Sequence, residues 1–399
     1  MSEITIRPVQ GDEVIDLLYW LPSYAFLSSP PTPDEARVER FRKSLSHHID
    51  STFLVLFEDG KAMSCLINTP MTQNLRGQIY PMGGVWWVAT HPAARRKGYT
   101  KRLMVDIYAR MRAQGQVVSC LYPFRESFYC RLGYVTFPQE IFARFDPASL
   151  TPLLAKDLPG AVKFMPVEEG RDEFLAYLRK YQQKKHGIAI NMSRIPLLRG
   201  AWLVLAQVNG ETIGMMTYTI EGEMVNFTVK ARRFYYDNSV AKYLLLKWFA
   251  QHIDQATTIQ LKLARTETPE MWLPDIDVKV ENASLVSNRQ ITAMGRVIDV
   301  TAIGGMRTGE GHFSARISDP HCPWNEGSYL FETVGGLLQV RPTVNTDCEL
   351  TIQALSALVY GTHDPGDFAI LGWGNPTPGI QAIMGPMFPR MTPYLHEEF

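Results

Sequence analysis

Two stretches of this chain repeat one order of apolar and polar positions. Thr52 to Phe57 and Ala62 to Thr69 are apolar and rich in β-formers on either side of Glu58-Asp59-Gly60-Lys61, and Asp-Gly is a favoured pair in two-residue turns, so the stretch predicts a hairpin. Gly84 to Thr90 is almost continuously apolar at strand length, which predicts a strand buried on both faces. From Thr100 to Ala113 the apolar residues Leu103, Ile107 and Met111 recur every four positions, and Gly115 stands where such a helix would stop. Val117 to Tyr122 is β-prone again. The order hairpin, strand, helix, strand then returns: Trp202 to Val208 and Thr212 to Ile220 flank Asn209-Gly210, Glu223 to Ala231 reads as a strand, Val240 to His252 as a helix and Thr258 to Leu263 as a strand.

Between the two copies, Asp146 to Gly160 holds Pro147, Pro152 and Pro159 and reads as a crossing linker. Beyond about Ala283 the texture becomes β-rich, in Val297 to Ile303, His312 to Ile317 and Ser328 to Val340. One helix, Glu349 to Tyr360, has Ile352, Leu355, Leu358 and Val359 on its apolar side. The expected fold is α/β: two mixed-sheet domains in tandem, 1–148 and 149–285, followed by a smaller α+β domain, 286–399.

Composition narrows the function classes. With 399 residues, 46% hydrophobic and 20% charged, the chain matches an ordinary globular protein. Forty Lys plus Arg balance forty Asp plus Glu, so no overall charge draws it to nucleic acid or to anionic lipid. Met1 to Glu13 is polar, and the most lipid-like run, Tyr243 to Ala250, is short and broken by Lys247, so neither a signal peptide nor a membrane span is expected and a cytoplasmic location is. Five cysteines without a CxxC pair suggest reduced thiols rather than disulfides or a zinc site. The histidines are scattered without HExxH, and no GxSxG occurs, so no metal and no serine nucleophile are expected.

The run Val88-Ala89-Thr90-His91-Pro92-Ala93-Ala94-Arg95-Arg96-Lys97-Gly98-Tyr99-Thr100 leads from the buried strand into the helix. The first amides of a helix lack internal partners and carry the positive end of its dipole, so an anion is favoured there. Gly98 lets a phosphate approach the backbone, and Arg95, Arg96 and Lys97 add three positive charges at the same mouth. At the equivalent junction the second copy reads Lys230-Ala231-Arg232-Arg233-Phe234-Tyr235-Tyr236-Asp237, with bulky aromatics in place of the glycine, and it is expected to hold no pyrophosphate but to wall the substrate side of the first copy.

Arg95, Gly98 and Thr100 resemble the Arg/Gln-x-x-Gly-x-Gly/Ala signature of the GCN5-related N-acetyltransferases, with Thr100 in place of the small third residue. The resemblance implies that Arg95, Arg96, Gly98, Tyr99 and Thr100 hold the pyrophosphate of acetyl-CoA, and that the backbone of Val88 and Thr90 pairs with its pantetheine amides. Phe128-Tyr129-x-x-Leu132-Gly133-Tyr134 is similar to the family's Tyr-bearing helix beside the acyl sulfur. Tyr129 is thereby the candidate general acid, a phenol able to protonate the leaving thiolate. Cys130, beside it, is read as packing, because direct transfer needs no acyl-enzyme.

The doubled architecture, the β-rich third part, Asp319-Pro320...Trp324-Asn325-x-Gly327 and Leu355-Ser356-Ala357-Leu358-Val359-Tyr360-Gly361 together resemble the Eis-like (enhanced intracellular survival) acetyltransferases over essentially the whole chain. That likeness implies two acetyltransferase-type domains followed by a sterol-carrier-like one. It implies the α-carboxylate of the last residue, Phe399, as general base, and Phe26, Trp87 and Glu398 on the side of a small-molecule or lysine-like amine acceptor. It also implies a homo-oligomer, commonly a hexamer. A non-catalytic carrier of acyl-CoA or lipid, built on the third domain, is the competing expectation.

Overall fold

Left-handed backbone at paired turn positions sets the hairpins of this chain. Asp59-Gly60 (φ +50° and +76°) and Asn209-Gly210 (φ +50° and +81°) close the two hairpins expected from the sequence, while Arg76-Gly77 (φ +51° and +84°) and Gly335-Gly336 (φ +59° and +78°) close two more. Positive φ at both central residues is the turn whose twist matches that of paired strands. The computed structural model describes residues 2–18, 20–27, 38–39, 42–43, 50–191, 200–223, 226–283 and 292–396.

In chain order the first elements are β1 (Ile4–Val9), α1 (Asp12–Leu18), β2 (Thr52–Glu58), β3 (Lys61–Leu75), β4 (Gln78–Thr90), α2 (Tyr99–Ala113), β5 (Val118–Leu121), α3 (Glu126–Cys130) and β6 (Val135–Thr136). There follow β7 (Ile141–Phe145), β8 (Ala161–Pro166), α4 (Arg171–Lys184), β9 (Ala189–Ile190), β10 (Trp202–Val208), β11 (Glu211–Glu223), β12 (Asn226–Tyr236), α5 (Ser239–Ala250), β13 (Ala256–Leu263) and β14 (Val278–Asn282). The last elements are β15 (Met294–Val297), β16 (His312–Ser318), β17 (Gly327–Val334), β18 (Leu337–Pro342), β19 (Cys348–Thr351), α6 (Ile352–Tyr360), α7 (Phe368–Leu371) and α8 (Pro378–Met387).

Contacts divide the chain into two compact units, one made of the described residues of Met1–Phe137, His186–Ile195 and Ala293–Phe399, the other of those of Pro138–Lys185 and Pro196–Thr292. In the first unit an eight-stranded sheet runs β1-β2-β3-β4-β5-β15-β6 with β9 beside β3, and a four-stranded sheet runs β18-β17-β16-β19. One core joins them: Met82, Cys120 and Val297 of the large sheet pack in the same cluster as Phe313, Ile317 and Phe331 of the small one and Leu355, Leu358 and Tyr360 of α6. On the other face α2 buries Leu103, Met104, Ile107 and Met111. The second unit holds a seven-stranded sheet, β14-β7-β13-β12-β11-β10-β8, with Leu244, Leu245 and Phe249 of α5 in its core. Among the described residues no helix is long and apolar enough to cross a membrane.

Several element readings need correction. The strand expected at Val297 to Ile303 is Met294–Val297, which lies in the large sheet between β5 and β6, and Thr301–Ile303 is a 3-10 turn. Asp146 to Gly160 is not a bare linker. β7 already belongs to the second sheet, and Asp146 then caps a 3-10 helix, Pro147–Leu153, whose Leu150 and Leu153 are buried in the core with α5. Ser328 to Val340 is two strands, because Gly335-Gly336 folds it back. The single late helix is three: α6 begins only at Ile352, after β19, while α7 and α8 complete the set.

Two buried arginines tie the first unit together. Arg296 of β15, fully buried, pairs with Asp319 at 2.6 Å, lies 4.3 Å from the ring centre of Tyr108 and donates to the carbonyl of Leu132. Asn325 donates to the same Asp319 carboxylate at 2.9 Å and accepts from the amide of Val300, while the Trp324 indole donates to the Ile298 carbonyl at 2.8 Å. The Asp-Pro...Trp-Asn motif therefore locks the small sheet's β16–β17 connection onto β15. Arg76 donates to the carbonyls of Leu358, Val359 and Pro389 at 2.7 to 3.0 Å and so satisfies the end of α6.

Candidate functional site

β4 and β5 run parallel and separate. Their ladder covers Met82↔Val118 to Val85↔Leu121, whereas β4 continues to Thr90. Val88 and Thr90 thus lie on the stretch of β4 that has left β5, with a backbone edge toward the gap. A bulge sharpens the change: on β4, Trp86 to Ala89 opposes only Cys65 to Ile67 of β3, and Trp87 takes a left-handed φ of +49°. Trp86 and Trp87 consequently pack on the same core cluster, with Val88 on the opposite one. Past the bulge, Trp87 and Val88 face opposite sides of the sheet.

From Thr90 the chain turns through the 3-10 segment Pro92–Ala94, where His91 Nδ1 accepts from the amide of Ala93, and through two left-handed residues, Arg96 (φ +67°) and Gly98 (φ +81°), into α2. Gly98 precedes α2 without any side-chain cap, and the first intrahelical bond runs from Arg102 N–H to the Gly98 carbonyl at 3.1 Å. The second unit repeats the parallel pair and the bulge, at Arg232, but there Asn238 Oδ1 accepts from Ala241 N–H at 3.0 Å and caps α5. The two copies therefore differ at the helix start: α2 keeps its amides open and α5 has one filled.

Arg95 and Arg96 are exposed at this junction, and the Arg95 guanidinium lies 5.9 Å from the ring centre of Tyr24. Lys97 does not join them. Its ammonium pairs with Glu58 at 2.9 Å, and this contact, with a hydrogen bond from Tyr99, holds the Glu58 carboxyl below its ordinary range, so among the described residues the mouth carries two free cations rather than three. The ring of Tyr99 is buried with Leu54, Leu56 and Leu103, which leaves its backbone amide for the junction. Thr100 Oγ1 lies 2.8 Å from Thr90 Oγ1, which lies 2.8 Å from Ser64 Oγ. Neither Glu58 nor Ser64 stood out in the sequence, because both come from the preceding hairpin and no local spacing links them to the junction.

Tyr129 of α3 is buried, with edge-to-face contacts to Phe124 (5.6 Å), Phe128 (5.0 Å) and Tyr134 (6.0 Å). Burial, with Tyr134 nearby, pushes its phenol far above the ordinary range, so it stays protonated, the form a proton donor needs. The next residue's thiol, Cys130, is also pushed up by burial, which disfavours the thiolate a nucleophile would need. Gly133, at φ +95°, is required: a Cβ there would stand 2.9 Å from Arg296 Nη1.

Phe26 is exposed in the π-helical turn Ser23–Leu27, and Trp87 is half-buried. Glu398 and Phe399 lie outside the described residues. The segment that precedes them is drawn inward: Tyr394, Leu395 and His396 are buried, Tyr394 N–H donates to the His186 carbonyl at 3.1 Å, and Leu395 belongs to the main core. Gly187 (φ +88°) makes room, since a Cβ there would stand 2.3 Å from the Tyr394 nitrogen.

Comparison with known proteins accords with this geometry. An acetyltransferase (GNAT) domain family matches residues 5–137, and a sterol carrier protein domain family matches residues 302–395. No curated protein sequence matches the chain. Among solved structures, a conserved protein of unknown function from Enterococcus faecalis V583, described as a probable N-acyltransferase, is 21% identical with a TM-score of 0.82 over 100% of both chains. A GCN5-related N-acetyltransferase from Anabaena variabilis is 18% identical with a TM-score of 0.81, also over 100% of both chains. Eis1 from Mycobacterium abscessus is 15% identical with a TM-score of 0.77, over 99% of this chain and 100% of that one.

Proposed function

We propose that this chain, whose residues 5–137 match an acetyltransferase (GNAT) domain family and residues 302–395 a sterol carrier protein domain family, acts as an Eis-like N-acetyltransferase that transfers the acetyl group of acetyl-CoA directly to an amine through the junction between β4 and α2. The observation that carries the reading is the uncapped start of α2 beside Arg95 and Arg96, at the point where β4 has left β5. The acyl-CoA diphosphate settles on the amides of the first turn of α2 with Arg95 and Arg96 beside it, Gly98 allowing close approach. Pantetheine amides pair with the Val88 and Thr90 backbone, and Tyr99 contributes its amide. In this reading the sheet that holds β4 and β5 is at the centre of the chemistry, and the second unit, which begins at Pro138, is a duplicate whose cofactor position is capped by Asn238.

The neutral amine attacks the thioester carbonyl, the carbon–sulfur bond breaks, the thiolate takes the proton of Tyr129, and the proton shed by the new amide nitrogen returns to the Tyr129 phenolate. The ammonium proton of the acceptor passes to the carboxylate of Phe399, and Phe26, Trp87 and Glu398 line the acceptor side. The acceptor is a cationic amine of small-molecule or lysine type, attracted by carboxylates and aromatic faces.

Thiol release from acetyl-CoA in the presence of polyamines, aminoglycosides and lysine peptides tests the reading. Turnover with at least one amine class is expected, and acetyl-CoA binding without transfer to any of them would favour the carrier function instead. Tyr129→Phe is expected to lower kcat by about 100-fold, the low end for a lost general acid. Since the phenol is held above its ordinary range, the wild-type kcat has no alkaline limb from Tyr129 up to about pH 10. Extending the chain beyond Phe399 by a few residues removes the terminal carboxylate and is expected to depress kcat comparably; an unchanged kcat would assign the base elsewhere.

A further inference from the structure

The departure of Thr100 from the small residue at its position in the signature has a structural counterpart in the chain of hydroxyls beneath it. Ser64 Oγ, completely buried, donates to the carbonyl of Ala89 at 2.9 Å, and a carbonyl can only accept. With its one proton spent there, Ser64 can only accept from Thr90, at 2.8 Å. Thr90 has then spent its own proton and must accept from Thr100, also at 2.8 Å. The buried end thus fixes the polarity of the whole chain, and each proton points inward.

We propose that Thr90 and Thr100, locked to Ser64, are positioning residues that hold the first turn of α2 open toward the acyl-CoA diphosphate. The proposal rests on the acetyl-CoA reading above. A threonine in a first helical turn ordinarily offers its oxygen to nearby amides. Here the oxygen is tethered to β4, so the amides of α2 stay available. The same bond clamps the end of β4 to the start of α2 across the turn that contains the left-handed residues Arg96 and Gly98, and so fixes the distance between the strand edge and the helix dipole. A Gly or Ala at position 100 would leave the amides open without the clamp, and a valine would fill the space but supply no proton.

The test is calorimetric and kinetic, on the full chain. Wild type should bind acetyl-CoA, and Ser64→Ala, Thr90→Val and Thr100→Val should each weaken that binding about tenfold, the effect of one lost hydrogen bond of ordinary strength. Their loss should fall on KM for acetyl-CoA and spare the KM of the amine. Thr100→Ser, which keeps the hydroxyl, should bind as wild type does. If wild type binds acetyl-CoA and the three variants bind it equally well, the clamp is refuted while the cofactor reading stands. If wild type itself binds none, both fall.

Discussion

Replacing Gly98 by aspartate is expected to raise the KM for acetyl-CoA by about 30- to 100-fold, the equivalent of about 2–3 kcal/mol. The residue precedes α2 at φ +81°, and a Cβ there would meet no atom within 4 Å, so a side chain has room. Asp and Asn are the non-glycine residues that tolerate left-handed backbone best, at a cost of about 1 kcal/mol. Aspartate would cap the open amides and set a negative charge where the diphosphate is to sit, and a carboxylate ~5 Å from a phosphate charge costs about 3 kcal/mol at an effective dielectric near 20, less where water reaches it. Gly98→Asn separates the causes. It caps without charge and should raise KM by only about threefold to tenfold. Steady-state kinetics with acetyl-CoA varied at saturating amine reads both, and an aspartate variant with unchanged KM would place the diphosphate away from α2.

What the sequence made legible follows from how far apart the interacting residues stand. Asp59-Gly60 and Asn209-Gly210 state their turns within two residues, and Leu103, Ile107 and Met111 state the buried face of α2 within three turns, so those elements are readable locally. Arg76-Gly77 was harder to read because arginine, unlike Asp or Asn, has no local preference for left-handed backbone and is kept there by bonds to His186, Leu358, Val359 and Pro389, all more than a hundred residues away. β15 shows the same limit: nothing near Met294 says that it will pair with Val118 to Leu121. At the candidate site, the Arg-x-x-Gly spacing and the strand-to-helix position were legible. The bulge at Trp87, the pairing of Lys97 with Glu58 and the hydroxyl chain to Ser64 were not, because each depends on the neighbouring strand or its hairpin.

The same long-range dependence gives the largest expected effect on stability. Asp319→Ala leaves Arg296 charged and completely buried with its carboxylate partner gone, a change that typically costs about 3–5 kcal/mol. For a unit of this size that corresponds to a fall in Tm of roughly 10 °C. The loss should spread through the first unit, because the Asp319–Arg296 pair joins the β16–β17 connection to β15, and the turn after α3 is held by the bond from Arg296 to Leu132. Both sheets share one core, so calorimetry should find them melting in a single transition that moves down as a whole in the variant. Removing the charge as well, in Arg296→Met/Asp319→Asn, should recover most of the loss, since an apolar side chain of similar length can fill the space over Tyr108 without a desolvation penalty. A single Asp319→Ala variant that melts within about 1 °C of wild type, or a split in which the small sheet melts apart from the large one, would mean that the buried pair does not couple the sterol-carrier-like part to the acetyltransferase sheet.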